Sequence, residues 1–354
     1  MDTNHIITSK APGRITFCGG GSDISPIPEK FGGACLNASI NKGVTTRFRW
    51  RNDKKIVLHN LKQGDEHIFD LESIASLKPT EHPYLDMPIA VVQHFLPKLK
   101  TGFNLWLSSD VNLHSGLGTS ASILTSLVGA FKHALHERFN LHEVAEIAFH
   151  LEHNILSHPT GRQDQYAAAF GGINFMNFKG GDHVQVNPVK LNRDTLLELQ
   201  ESLSLFFLMP RNAHPSGTII KEHMKNFSGA NARSVDAALK AKEFAVQSAD
   251  ALLAGNIKKF AELLDENWKV KKQFSTLVSN SAIDAFYEEL KKQGAWGGKL
   301  LGAGGGGHML VCSSPLDKTR IVNRATELGA HYIDFTFTFD GLTVWSKENH
   351  PELV

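Results

Sequence analysis

The sequence is poor in cysteine, in charge imbalance and in long apolar runs, and each shortage excludes a class of function. Only Cys18, Cys35 and Cys312 occur among 354 residues. Three thiols at wide spacing fit neither a disulfide framework nor a zinc ribbon, and a reducing, cytoplasmic setting is expected. Lys plus Arg total 37 against 36 Asp plus Glu, a formal net charge of +1, so overall charge draws neither nucleic acid nor an anionic membrane surface. No apolar run approaches the ~18 residues of a membrane span, and the opening MDTNHIITSK carries Asp2 without an apolar h-region; neither a span nor a secretory signal is expected. The 18 histidines come without HExxH or a close His/Cys set and define no metal site. Repeats and low-complexity tracts are absent as well. What is present is 42% hydrophobic residues, enough for a substantial core and for roughly two domains at ~150 residues each.

The apolar period divides the chain into elements. Ile6–Thr8, Val44–Trp50 and Ile56–His59 read as strands, the last two as a hairpin around the polar turn Arg51–Lys54, and Phe103, Leu105 and Leu107 alternate as another strand. The glycine-containing loop His114–Ser122 then feeds an amphipathic helix carrying Leu124, Leu127, Val128, Phe131 and Leu135. A second helix is expected from Asn140, with Glu143 as capping-box partner, through Ile155. INFMNF at 173–178 reads as a strand, and the polar stretch Lys179–Asp194 as a junction between units 1–190 and 191–354. Beyond it come a strand at Leu203–Met209, helices near 232–254, 257–277 and 281–294, and a strand at His308–Cys312. Phe335, Phe337 and Phe339 with Leu342–Trp345 are expected to close a terminal hairpin.

The chemistry concentrates in glycine-rich segments. Ser115-Gly116-Leu117-Gly118-Thr119-Ser120-Ala121-Ser122 sits at a strand-to-helix junction, where small residues let backbone N–H groups approach an anion at the positive helix end. It lacks the GK[ST] ending of a Walker loop, and a Gly/Ser turn with a hydroxyl cap would use the same letters. Gly302-Ala303-Gly304-Gly305-Gly306-Gly307 matches GxGxxG in form but precedes the strand-like HMLVC, so the dinucleotide reading fails on context. Gly19-Gly20-Gly21 also fails, with Ile24 where a last glycine is required; Asp23 beside it is suited to accept hydroxyl hydrogens or to cap the turn.

Taken in order, KAPGRITFCGGGSD, HSGLGTSAS and KLLGAGGGGH resemble the GHMP small-molecule kinases. EKFGGACLNASINK, GRQDQYAAAFGG, ENWKVKKQFS and GAWGGKLLGAGGGG look most like the branch that phosphorylates D-glycero-D-manno-heptose 7-phosphate. The resemblance implies an α+β, two-domain fold: an N-terminal mixed-sheet domain with the phosphate loop and a C-terminal ferredoxin-like domain, with ATP and sugar between them. It implies that Ser115–Ser122 wraps the ATP phosphates, that Ser120 and Glu152 hold Mg²⁺, and that Asp164 and Arg14 are the catalytic pair. Asp23, Gly20, Gly21, Gly305 and Gly306 fall on the sugar side. As isolated residues, Arg14 and Asp164 read as surface ions and Glu152 as an exposed helix carboxylate.

The implied reaction is transfer to the anomeric hydroxyl of the heptose 7-phosphate, giving a 1,7-bisphosphate for activated-heptose synthesis. Arg162, Arg211, Lys271, Lys272 and Lys299 are the candidate clamp for the 7-phosphate. A kinase of a free sugar such as fucose or galactose, and a silent sugar- and ATP-binding sensor, are the alternatives. The expected partner is a small sugar or sugar phosphate, with no nucleic acid or membrane, and monomer and homodimer both stay open. Leu113 and His114 depart from the family pattern ahead of the loop, as does His308 after the last glycines.

Overall fold

Strand alternation runs much further than the first apolar residues suggest. In the computed structural model, which describes residues 3–60, 64–82, 84–111, 115–208, 215–229 and 231–348, β1 spans His5–Cys18; after the short helix α1 (Ile27–Phe31), β2 (Gly33–Trp50) pairs with it antiparallel. β3 (Lys55–Asn60) and β4 (Asp65–Asp70) follow, then α2 (Asp86–Phe95) and β5 (Phe103–Ser109). The expected hairpin between Val44–Trp50 and Ile56–His59 does not form, because β5 inserts between β2 and β3. Phe103 stacks on Phe48 at 4.9 Å there, and a cross-strand aromatic pair of this kind outweighs a four-residue polar turn. β3 pairs with β5 in parallel and with β4 antiparallel, which makes the sheet mixed.

α3 (Thr119–Ala134) begins one turn before the apolar period becomes visible, and α4 (Leu141–His150) starts from Asn140 as expected. The Asn140 side chain accepts from the amides of His142 and Glu143, but the capping box stays open because the Glu143 carboxylate takes the buried Lys132 ammonium at 3.0 Å instead. Leu151–Ile155 continues α4 as a π-helical turn. α5 (Gln163–Phe170), β6 (Ile173–Phe178) and β7 (Val184–Pro188) follow. β7 therefore occupies the middle of the expected junction and joins the first sheet through β6.

After α6 (Arg193–Ser202) comes β8 (Leu203–Leu208), then α7 (Ser216–Ser228), α8 (Ala232–Leu253), α9 (Ile257–Lys271) and α10 (Ser281–Lys292). β9 (Ala295–Leu300), β10 (Gly307–Ser313), α11 (Pro315–Glu327), β11 (His331–Ile333) and β12 (Thr343–Glu348) complete the chain. The second sheet has the order β11-β8-β10-β9, all antiparallel, which is the β-α-β-β-α-β arrangement of a ferredoxin-like unit. The terminal hairpin does not form: β12 pairs with β1 at the edge of the first sheet, and Phe337 makes only an isolated bridge to Ile40. Phe335 and Phe337 instead pack beside Phe17 in the core between the sheets.

The centre of the first sheet is buried on both faces, while its edge strands β4 and β12 are exposed. One side holds Phe48, Phe103, Phe95 and Phe131 against α2 and α3; the other holds Ile15, Phe17 and Ala38 against α8 and α9. A third core around Phe206, Trp268 and Met309 supports the second sheet. Among the described residues, no helix is long and apolar enough to cross a membrane.

Candidate active site

β1 and β2 shift register at Pro12–Gly13. There the Arg14 amide donates to the Leu117 carbonyl at 2.9 Å, so strand and glycine loop meet backbone to backbone. Alternation sends Ile15 and Phe17 into the core and Arg14 and Thr16 into a cleft of about 300 Å³. Arg14 reaches across it to Asp164 on the first turn of α5: Nε donates to Oδ1 at 2.7 Å and Nη2 to Oδ2 at 2.5 Å. Nη1 donates to the Gly116 carbonyl at 2.6 Å. The two side chains are 6% and 19% exposed, so neither is the solvated surface ion that each residue suggests in isolation. The paired geometry is the strong, bidentate form of an Arg–carboxylate contact.

Gly118 is the N-cap of α3 and has φ +73°, the left-handed region that glycine enters without strain. It brings no side-chain acceptor to the helix start. This contrasts with α4, α6, α8, α9, α10 and α11, whose N-terminal amides are capped by Asn140, Asn192, Asn231, Asn256, Asn280 and Ser314. Ser115, Gly116, Gly118, Thr119 and Ser120 line the cleft. Leu117, Ala121 and Ser122, expected to join them, do not: Leu117 and Ala121 are buried, and the Ser122 hydroxyl donates to the Pro12 carbonyl at 2.8 Å. The two glycine segments touch, since a Cβ on Gly302 would lie 2.5 Å from Gly116 Cα. His308 joins them too, with its amide on the Ser115 carbonyl at 3.0 Å and Nδ1 on the same oxygen at 2.7 Å. Its departure from the family pattern is thus absorbed as an anchor; Leu113 and His114 lie outside the described residues.

Glu152 sits on the π-helical turn and is 4% exposed, not the surface carboxylate its helix suggests. The Ser120 hydroxyl donates to its Oε1 at 2.6 Å and Gln165 Nε2 to its Oε2 at 2.7 Å. Burial pushes its carboxyl up to about 7, with Asp164 adding repulsion and the Ser120 and Gln165 hydrogen bonds opposing. Among the described residues no cluster of three or more His, Cys, Asp and Glu gathers. Magnesium asks for less: one carboxylate and a hydroxyl, with phosphate oxygens and water supplying the rest. The Ser120–Glu152 pair, hard oxygens on the wall that carries the phosphate loop, fits that donor set.

On the opposite wall Asp23 is 5% exposed and already tied into the protein. Its Oδ1 accepts from the Gly21 amide at 3.0 Å and from Gln163 Nε2 at 3.1 Å. Gly161 permits this approach, because a Cβ there would lie 2.1 Å from Asp23 Oδ2. Burial, and then the nearby Asp164, raise the Asp23 carboxyl above its usual range. Gly20, Gly21 and Gly306 line the cleft with it, whereas Gly305 does not and spends its amide on the Val278 carbonyl at 2.9 Å.

Of the five cations proposed as a clamp, Lys271 and Lys299 enter the cleft. Lys271 Nζ donates to the Leu300 and Gly302 carbonyls and Lys299 Nζ to the Thr16 carbonyl. Burial holds the Lys271 ammonium well below its ordinary value, aided by Lys299 and Arg14, and lowers Lys299 to about 8. Arg162 pairs with Glu146 and lies over the Phe149 ring, and Lys272 pairs with Asp284, both outside the lining. Arg211 lies outside the described residues. Thr16, Gln163 and Phe274, which lie within the family-like segments without an expected role, and His223, which lies in none, also line the cleft. Thr16 was foreseeable as the same-face neighbour of Arg14, two residues on along a strand; His223 and Phe274 meet only through tertiary packing.

Comparison with known proteins agrees with this geometry. Residues 86–172 match the GHMP kinase N-terminal domain model and residues 248–331 the GHMP kinase C-terminal model. The D-glycero-alpha-D-manno-heptose 7-phosphate kinase of Campylobacter jejuni is 30% identical over 96% of this chain and 98% of its own. A crystal structure of a D-glycero-D-manno-heptose 1-phosphate kinase from Bacteroides thetaiotaomicron superposes with a TM-score of 0.79 at 28% identity, over 96% of this chain and 98% of that one. Lactococcus lactis galactokinase complexed with galactose shares the fold, with a TM-score of 0.79 at 20% identity over 97% and 96% of the two chains. With both domain models in order, the near-complete overlap with the Campylobacter relative and the phosphate loop facing a buried Arg–Asp pair, the chain belongs to the GHMP kinases, phosphotransferases that use ATP.

Proposed function

We propose that the protein transfers the γ-phosphoryl group of ATP to the anomeric hydroxyl of D-glycero-D-manno-heptose 7-phosphate, giving the 1,7-bisphosphate. The observation that carries this reading is the Arg14–Asp164–Gly116 connection, which ties a carboxylate to the loop that would cradle the triphosphate. Phosphoryl transfer needs little covalent help, so positioning and charge compensation supply most of the rate. Asp164 orients the sugar hydroxyl and accepts its proton. Arg14 fixes the carboxylate and offsets charge on the transferring group. An anomeric hydroxyl is more acidic than an ordinary alcohol, which lessens the demand on the base.

Ser115, Gly116, Gly118 and Thr119 contribute the nucleotide side of the cleft, where the N-cap Gly118 brings no side chain to compete with phosphate. Ser120 and Glu152 would hold Mg²⁺, which would supply positive charge to offset that of the phosphates. Asp23 and the Gly20–Gly21 backbone form the sugar wall; since the Asp23 carboxylate is already engaged by Gly21 and Gln163, it acts mainly by shaping that wall. The heptose phosphate rests on the two heptose kinase relatives and on the two lysines in the cleft. The test is ADP release with ATP, Mg²⁺ and a panel of phosphorylated heptoses and free hexoses, with the product position read by phosphorus NMR. Turnover restricted to the heptose 7-phosphate and a new phosphate at the anomeric carbon are expected. Preference for a free sugar would point to a fucokinase- or galactokinase-like enzyme, and binding without product to a sensor.

A further inference from the structure

His223 is buried in the cleft. It projects from α7, is 2% exposed, and lines the cavity, yet neither Nδ1 nor Nε2 has a hydrogen-bond partner among the described residues. The ring is well packed, edge-on to Phe274 at 5.5 Å and tilted against Phe227 at 6.0 Å. A phenylalanine would fill the same space without the penalty of two desolvated nitrogens. The imidazole therefore suggests a ligand that supplies the missing partner.

Its surroundings define that ligand as an anion. Lys271 enters the same cavity 4% exposed, held by two carbonyls and paired with no carboxylate among the described residues. The charged groups acting on it are Lys299 and Arg14, both of the same sign. The opening of α7, Pro215, Ser216 and Gly217, lines the same wall, and its N-cap Pro215 offers no side-chain cap. Burial, and then Lys271, lower the imidazole to about 3, and an anion at this wall would offset the Lys271 charge.

Through Phe274 this group joins the Gly20–Gly21 side of the cleft. Gln163, next to Asp164, approaches Gly20, and the Phe274 ring lies on Gly21, where a Cβ would meet it at 2.3 Å. His223 packs edge-on against that same Phe274 ring, at 5.5 Å between centroids. We propose that His223, Lys271 and the first turn of α7 form the subsite for the phosphate the sugar already carries, distinct from the subsite of the transferred phosphoryl group. This rests on the substrate being a sugar phosphate.

The test compares wild type, His223→Phe and His223→Asn on D-glycero-D-manno-heptose 7-phosphate and on the dephosphorylated heptose. ATP is varied separately and thermal melting is recorded for each protein. His223→Phe is expected to raise KM for the sugar phosphate about tenfold or more, with a smaller change in kcat and little in KM for ATP, and His223→Asn to recover part of the loss. Inorganic phosphate, competitive against the sugar phosphate in wild type, should inhibit the Phe variant more weakly. An equal rise in KM for the free heptose, a rise confined to ATP, or no change overturns the subsite while leaving the kinase reading intact. Should wild type ignore the heptose 7-phosphate but use another sugar with a terminal phosphate, the proposed substrate falls, and the same ratios on that sugar decide the subsite. Preference of wild type for free sugars overturns both. If His223→Phe does not fold, His223→Asn carries the comparison alone.

Discussion

Arg14 grips both oxygens of Asp164, at 2.7 and 2.5 Å, and spends its remaining nitrogen on the Gly116 carbonyl at 2.6 Å. One guanidinium thus sets the distance between the carboxylate on α5 and the glycine loop ahead of α3. Asp164→Ala is expected to reduce kcat by roughly 10²–10⁴, the range of a positioned acid–base group, with ATP binding largely kept. It also leaves Arg14 buried and unpaired, at a stability cost of about 3 kcal/mol. Steady-state kinetics, ATP titration calorimetry and denaturant unfolding separate the two effects; undiminished turnover would remove Asp164 from the reaction.

Gly118 connects that pair to the helix. A Cβ on it would lie 3.3 Å from Asp164 Oδ2 and 3.4 Å from Arg14 Cγ, at φ +73°. Gly118→Ala therefore adds about 1 kcal/mol of backbone strain and crowds the ion pair. Gly181→Ala, at φ +58° with nothing within 4 Å, adds the backbone part alone. Both variants should lose comparable stability by chemical denaturation, but only Gly118→Ala should lose kcat. Equal kinetics in the two would show that the crowding has no consequence for the reaction.

Glu152 gives a pH dependence of defined sign. Its carboxyl ionises near 4.5 in the unfolded chain and near 7 in the folded protein, chiefly through burial. Between those values the folded state holds the extra proton, so this group's stabilisation is complete below about pH 4.5 and is lost as pH rises through about 7. In metal-free protein, melting temperature should fall across that window more steeply in wild type than in Glu152→Gln. Mg²⁺ with ATP should restore stability above about pH 7 and do much less below about pH 5, where the carboxyl is protonated. A Glu152→Gln profile parallel to wild type would place the titration elsewhere.

Local features of the fold are legible in the sequence and long-range ones are not. α3, β6 and β10 carry their own periods, and the glycine loop announces itself by residue type, so these were readable along the chain. Burial of Glu152 was not, because it depends on a π-helical turn and on Ser120 and Gln165 arriving from two other helices. The hairpins expected around Arg51–Lys54 and between Phe335–Phe339 and Leu342–Trp345 do not form because β5 and β1 take the strands as partners, a choice made by tertiary packing rather than by turn chemistry. His223 carried no signal: its role depends on Phe274 and Lys271, some fifty residues later in the chain.

The helix caps supply a last contrast. Asn140 caps α4 by accepting from the amides of His142 and Glu143 at 3.0 and 3.2 Å, away from the cleft lining. Asn140→Ala should lower unfolding free energy by about 1 kcal/mol, the usual worth of such a cap, without changing kcat or either KM. At α3 the N-cap has the opposite consequence. Gly118→Asn keeps a residue tolerant of positive φ and adds a side-chain acceptor beside the α3 N-terminus, whose amides would hold phosphate. Relative to Gly118→Ala, the Asn variant should recover stability and lose ATP affinity, read by calorimetry; unchanged affinity would mean that those amides take no part in holding the nucleotide.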